Sequence, residues 1–147
     1  MADIIIREMH EDDIPEILRI ERMSFPTPWT EAAFINEIYK PYALTRVVLQ
    51  KNNVIGYICV NRVLNEGHIL NLAVHPEFRR QGIASMLMQE LLKELKNKGC
   101  RFIYLEVRVS SLGARKFYER FGFKVVGARR DYYQSPVEDA ALMMLGL

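Results

Sequence analysis

Two hydrophobic rhythms alternate along this 147-residue chain. Short apolar runs rich in Ile, Val and Tyr predict strands over residues 3–7, 43–50, 54–64, 69–74, 102–107, 123–129 and 140–145. Between them, apolar residues recur three and four positions apart, which places them on one face of a helix. Ile14, Ile17 and Leu18 mark a helix over 11–23, and Ala33, Phe34 and Ile38 a short one after Thr30. Ile83, Met86, Leu87, Leu91 and Leu95 mark a long helix, and Ala114, Phe117, Tyr118 and Phe121 another that opens at Ser110-Ser111. The punctuation agrees: Asp12 or Asp13 and Thr30 suit N-caps, Pro15 suits a first turn, and Gly99 and Gly122 suit helix stops. Turns are expected at Lys51-Asn52-Asn53 and at Asn65-Glu66-Gly67.

The order strand, two helices, three strands, helix, strand, helix, two strands predicts an α/β (α+β) domain. Its sheet is mixed and mostly antiparallel, with four helices. The strand 69–74, the long helix and the strand 102–107 form a strand-helix-strand crossover, so those two strands should run parallel. An antiparallel meander turning into a parallel pair sets two strand ends side by side, where open sheets tend to form ligand crevices.

The same end carries the most suggestive chemistry. His75-Pro76 closes the strand, and Arg79-Arg80-Gln81-Gly82-Ile83-Ala84-Ser85 leads into the helix. A helix start presents unpaired N–H groups and a positive dipole end, Gly82 and Ala84 keep bulk away, and Arg79 and Arg80 add charge. Such a junction suits a pyrophosphate, although a basic turn before a helix is also a common solvated cap. The chain has no G-x-x-x-x-G-K-[ST] and no G-x-G-x-x-G, which argues against a nucleoside triphosphate or a dinucleotide.

Composition narrows the field. A hydrophobic fraction of 50% over 147 residues supports one core, hence a single domain over 1–147. A net charge of +2 with both signs interspersed argues against general nucleic-acid binding. Cys59 and Cys100 lie in or beside apolar runs without a C-x-x-C partner, as expected of small buried hydrophobes in a reducing cytoplasm. The opening residues lack the pattern of a secretory leader and no run reaches membrane-spanning length, so neither a leader nor a membrane partner is expected. His10, His68 and His75 have no metal-ligand spacing, and no metal is expected. The break at 24–29, with two prolines, Phe25 and the sole tryptophan Trp29, suits packing over the core or walling a cleft. A second aromatic loop is expected over 130–136, with Tyr132 and Tyr133.

The pattern Arg79-x-x-Gly82-x-Ala84 after a strand resembles the acyl-CoA pyrophosphate loop of the GCN5-related N-acetyltransferase (GNAT) family, and the predicted element order is similar to that family's fold over the whole chain. Three further segments, in order, resemble its RimI-type subgroup: Leu105-Glu106-Val107-Arg108-Val109-Ser110, then Phe117-Tyr118-Glu119-Arg120-Phe121-Gly122-Phe123, then Arg129-Arg130-Asp131-Tyr132-Tyr133. The resemblance implies acetyl-CoA as co-substrate, held by Leu72, Ala73 and Val74 and by the turn Arg79, Arg80, Gln81, Gly82, Ile83, Ala84 and Ser85. It implies Glu106 as general base and Tyr118 as general acid. It also implies a peptide clamp of Phe25, Trp29, Tyr132 and Tyr133, and a protein N-terminus as partner, the alanine of ribosomal protein S18. One position departs: where the family usually has Asn to help hold the CoA arm, this chain has the shorter Ser111. A small amine or a lysine side chain as acceptor, or a non-catalytic acyl-CoA-binding module, are the alternatives. Oligomeric state is not read from the sequence.

Acyl transfer from a thioester to an amine needs the amine deprotonated and the departing thiolate protonated. An α-amino group titrates at about 7.7 to 8.0, within reach of a carboxylate base. Glu106 is an acid in an otherwise apolar strand, where burial should raise its pKa. Its bland alternative is a salt bridge, with Arg108 on the same strand face as a candidate partner. Tyr118 sits on an apolar helix stripe and could be plain core, but its phenol stays protonated near neutral pH and can donate. Tyr132 and Tyr133 could equally be cross-strand packing partners.

Overall fold

The computed structural model describes residues 3–147; the first two residues, part of the stretch read for a leader, lie outside it. Seven strands, β1 (Ile4–Glu8), β2 (Ala43–Gln50), β3 (Asn53–Val63), β4 (Glu66–Val74), β5 (Phe102–Arg108), β6 (Lys124–Tyr133) and β7 (Glu138–Gly146), form one sheet in the order β1-β2-β3-β4-β5-β7-β6. Every neighbouring pair is antiparallel except β4 and β5. Helices α1 (Ile14–Ser24) and α2 (Glu31–Tyr39) cover one face, burying Ile14, Ile17, Ile20 and Phe34 against Val47, Tyr57 and Ala73. Helices α3 (Ile83–Asn97) and α4 (Leu112–Arg120) cover the other, where Leu87, Leu91 and Leu95 of α3 meet Ile58, Ile103 and Leu105.

The predicted element order holds throughout, and the departures lie at element ends. The helix expected over 11–23 begins as a single 3-10 turn, Glu11–Asp13, before α1. Asp13 does not cap α1 with its side chain. Its carboxylate accepts from His10 N at 2.8 Å and from both terminal nitrogens of Arg7 at 2.8 and 2.9 Å. Thr30 does cap α2, accepting from Ala33 N at 3.2 Å. The turn expected at 65–67 lies one step earlier, with Leu64 at φ 54°, and Glu66 and Gly67 already belong to β4. The loop expected to start at Arg130 is instead a continuation of β6. Arg129 pairs with Ala140 and Tyr133 with Glu138, so three β6 residues face Asp139 alone. Asp131, at φ 51°, anchors this bulge by donating its N–H to Asp139 Oδ1 at 2.8 Å.

The parallel pair positions the site. β4 and β5 are paired only where Glu66, Gly67 and His68 face Phe102, Ile103 and Tyr104. Beyond that, β5 stays with β7 through Arg108 while β4 stays with β3 through Val74, so the two diverge and open a wedge. The register of β4 on β3 slips where Cys59 faces Asn71 and Val60 faces Ile69, leaving Leu70 unmatched at the mouth of the wedge.

Candidate active site

The wedge continues into a cavity of about 410 Å³ between the α1–α2 loop, β4, β5, α4 and the end of β6. It brings together Phe25, Trp29, Leu72, Glu106, Ser111, Tyr118 and Tyr133 from five separate parts of the chain. Tyr132 is not among its lining residues; it is 47% exposed and packs edge-on against Tyr133 at 5.0 Å between centroids. The two tyrosines are thus partners of each other along one strand and not a cross-strand pair.

Glu106 reaches the cavity because β5 alternates: Ile103, Leu105 and Val107 enter the core toward α3, while Tyr104, Glu106 and Arg108 face the other way. Its carboxylate is held from two sides. His68 Nε2 lies 2.7 Å from Oε1, and Arg129 Nε donates to Oε2 at 3.1 Å. The His68 ring is itself stacked on Tyr104, 4.3 Å between centroids and 12° from parallel. These contacts reverse the expected titration. Burial pushes the Glu106 pKa up, but the hydrogen bond and charge of His68, then those of Arg129, outweigh it and hold the carboxyl below its ordinary value. Arg108 is not its partner: it bonds Glu138 Oε1 at 3.2 Å and the carbonyls of Gln134 and Pro136 at 3.0 Å each, and stacks on the Tyr133 ring at 4.5 Å.

Tyr118 is the inward-facing tyrosine of α4, wedged edge-on between Phe117 and Phe123. Its ring is core-like, as the bland reading has it, yet its hydroxyl makes no hydrogen bond within the described residues and its side chain lines the cavity. Burial, reinforced by Tyr133, pushes the hydroxyl pKa well up, so it stays protonated at any ordinary pH. The Tyr133 hydroxyl is pushed up to about 12 by burial first and Tyr132 second.

The aromatic loop at 24–29 both packs and walls. Trp29 rests on Phe34 at 5.0 Å, and Thr27 Oγ1 donates to Gln134 O at 3.4 Å, so this loop faces the β6–β7 turn across the cavity mouth. Beneath it lies Glu21, 1% exposed, whose carboxylate accepts from Trp29 N at 3.0 Å, from Asn71 Nδ2 at 2.6 Å and from the Tyr57 hydroxyl.

Below the cavity, the β4–α3 turn forms an open cradle. Gly82 takes φ 80°, ψ 11° as the N-cap of α3, and a Cβ there would meet nothing within 4 Å. The first-turn N–H groups of Ile83, Ala84 and Ser85 have no partner within a helix, by the geometry of a helix start. Arg80 is exposed at φ 64°. Arg79 is employed otherwise than as a free phosphate ligand, for its Nε donates to Val74 O at 3.0 Å and its terminal nitrogen to Ser24 Oγ at 3.2 Å. His75 N donates to Ile55 O, so by antiparallel alternation Leu72 and Val74 turn their backbone groups toward the wedge while Ala73 turns its own toward β3. Ser111 caps α4 by position without a side-chain cap bond. An acyl-CoA therefore fits: an anion-binding helix start stands beside unpaired strand backbone that leads to the Glu106 cavity.

Four site residues escape the sequence reading. Glu21 continues the stripe Ile14, Ile17, Leu18 by helical spacing, and an acid in that register was a visible signal. Asn71, His68 and Arg129 carry no such signal; they depend on the β4 slip, the β4–β5 pairing and the β6 bulge. Among the described residues no helix is long and apolar enough to cross a membrane.

The comparisons with known proteins agree with this geometry. The sequence pattern of the acetyltransferase (GNAT) family matches residues 14–123. The chain is 33% identical to the [ribosomal protein bS18]-alanine N-acetyltransferase of Escherichia coli K12, covering 95% of each chain. It is 35% identical to an N-alpha-acetyltransferase of Saccharolobus solfataricus, covering 96% of this chain and 92% of that one. The crystal structure of the ribosomal-protein-S18-alanine N-acetyltransferase from E. coli superposes with a TM-score of 0.90 at 31% identity, over 97% of this chain and 93% of that one. By this match over residues 14–123 and this identity over nearly the whole chain, the chain belongs to the acetyltransferase (GNAT) family.

Proposed function

We propose that this N-acetyltransferase moves the acetyl group of acetyl-CoA to the N-terminal α-amine of a protein, and that its acceptor is the N-terminal alanine of ribosomal protein bS18 in the cytoplasm. The observation that carries the reading is the meeting of Glu106 and Tyr118 in one cavity at the open end of β4 and β5. The similarity to relatives named for that alanine supports the choice of acceptor.

Acetyl-CoA supplies an activated thioester when bound. The Gly82 cradle and the first-turn N–H groups of α3 hold its diphosphate, with Arg80 adding charge, while the wedge-facing backbone of Leu72 and Val74 orients its arm. Ser111 borders the same passage, and its short hydroxyl reaches the arm through water. Glu106 Oε accepts the proton of the incoming ammonium, directly or through one water. Its depressed pKa leaves it ionised at neutral pH and therefore able to accept that proton. Tyr118 Oη donates its proton to the departing sulfur. Phe25, Trp29 and Tyr133 exclude water and seat the peptide, and Tyr132 flanks them from the rim.

Replacing Glu106 by Gln tests the reading. The variant should keep its affinity for CoA and acetylate an Ala-initiated peptide about two to four orders of magnitude more slowly. Near-normal turnover at neutral pH would remove Glu106 as the base, and rapid acetylation of a polyamine with none of any peptide would remove the protein acceptor.

A further inference from the structure

Two carboxylates border the cavity, and their charge environments are opposite. Glu106 is answered by Arg129 and His68, and Arg108, the cation of the lining, is answered by Glu138. Glu21 forms no ion pair among the described residues, and its three partners are neutral donors. It also stands in the last turn of α1, the negative end of the helix dipole, where a carboxylate is disfavoured. At 1% exposure it gains almost no help from water. All three of its partners are placed as donors to its oxygens, the arrangement by which a protein holds a buried carboxylate in its charged form.

A buried anion with no counter-charge of its own gives the α1 side of the cavity a negative potential. The acceptor under the reading above is an α-amine, and with a reference pKa of about 7.7 to 8.0 it arrives mostly as an ammonium at neutral pH. We infer that Glu21 is a specificity-determining residue, whose unmatched charge selects acceptors presenting a cationic N-terminus. Through Trp29 N it also fixes the wall along which that N-terminus lies. The carboxylate accepts three hydrogen bonds where about four lone-pair directions are available, so its charge is not used up by its donors. Interactions of this kind are strong in a water-poor cavity and weak in open solvent.

This inference rests on the peptide-acceptor reading, and the test separates the two. Glu21→Gln removes the charge at constant shape. The Gln oxygen keeps Trp29 N, while Asn71 can turn its carbonyl oxygen, and Tyr57 its hydroxyl oxygen, toward the new amide N–H. The CoA-loaded protein is titrated calorimetrically with an Ala-initiated peptide and with the same peptide begun by a propionyl group, which lacks only the amine. Wild type should prefer the amine, and Glu21→Gln should lower that preference by about tenfold or more while leaving the propionyl peptide within about twofold. Glu21→Asp, which keeps the charge on a shorter arm, should weaken both ligands together and preserve the preference. Should Glu21→Gln fail to fold, loss of the preference in Glu21→Asp overturns the inference and its retention supports it. Parallel weakening of both peptides in Glu21→Gln makes Glu21 a structural residue only. Failure of wild type to acetylate any peptide would instead remove the acceptor reading on which the inference stands.

Discussion

The titration of Glu106 shows how a single residue escapes prediction from its own strand. Its neighbours Leu105 and Val107 are apolar, and burial alone argues for a raised pKa. What reverses the sign are His68 and Arg129, 38 residues before and 23 residues after it in the chain. The consequence is measurable. With the Glu106 pKa depressed, the proposed base stays ionised until the pH falls below the ordinary carboxylate range, and under that proposal the rise of rate with pH near neutrality belongs to the substrate amine. Arg129→Ala removes one lowering influence and leaves burial in place, so the Glu106 pKa rises. The ratio of variant to wild-type kcat/KM should then be near constant at neutral pH and above, where the amine titration cancels, and fall as pH drops. A ratio independent of pH from 5 to 8 would show that Arg129 does not tune the base. Stability follows the same sign. A depressed carboxylate contributes stability above its unfolded pKa that is lost as pH falls through its folded value, so acid should narrow the gap between wild type and variant in urea melts.

Elements were more legible than their ends. Periodicity identifies each helix and strand because amphipathic burial decides it, and Thr30 caps α2 as its residue type suggests. The ends are settled by partners that periodicity does not encode. Asp13 is drawn to Arg7 of β1, and Asp139 holds the β6 bulge that carries the strand on to Tyr133. Burial would raise the Asp13 pKa, yet Arg7 and the His10 N–H hold it low. Asp13→Ala should therefore destabilise the fold by about 1 to 2 kcal/mol at neutral pH, an effect that shrinks as pH falls through the lowered Asp13 value and its stabilising charge is lost in wild type too. Denaturant midpoints that differ equally at pH 7 and pH 3 would count against this. At the β4–α3 turn, Gly82 was readable as a residue that keeps bulk away, and the structure adds a left-handed φ there that costs other residues about 1 to 2 kcal/mol. Gly82→Val should weaken CoA by about tenfold or more by calorimetry, because its side chain would fill the open space at the helix start that the diphosphate needs. Unchanged affinity in a folded variant would mean that the cradle is not the anion site.

At the scale of the molecule, the parallel crossover follows from the strand-helix-strand order and the short connections that folds prefer. The depth of the wedge does not, because it depends on the β4 slip at Leu70 and on β5 committing its whole length to β7. The wedge makes a cavity whose walls are tied to their neighbours. Trp29 is fixed by Glu21 and Phe34, Tyr133 is clamped by Arg108, and Thr27 ties the two loops through Gln134. Under the proposed function, its volume of about 410 Å³ takes both the acyl arm and the first residue of the acceptor. A peptide bound mainly by backbone and α-amine leaves its first side chain pressed toward these aromatic walls. A methyl group fits without moving them, whereas an isobutyl group must either displace a wall that is held from both sides or draw the amine back from the reacting carbonyl. A retreat of roughly 1 Å costs about a hundredfold in rate, so Ala-initiated peptides should be acetylated about a hundredfold faster than Leu-initiated ones, and free lysine more slowly still. The measurement is kcat/KM across peptides differing only in the first residue, where a rigid wall lowers kcat and not merely affinity. A flat profile, or a loss confined to KM, would mean that the first side chain points out of the cavity and that its walls do not choose the substrate.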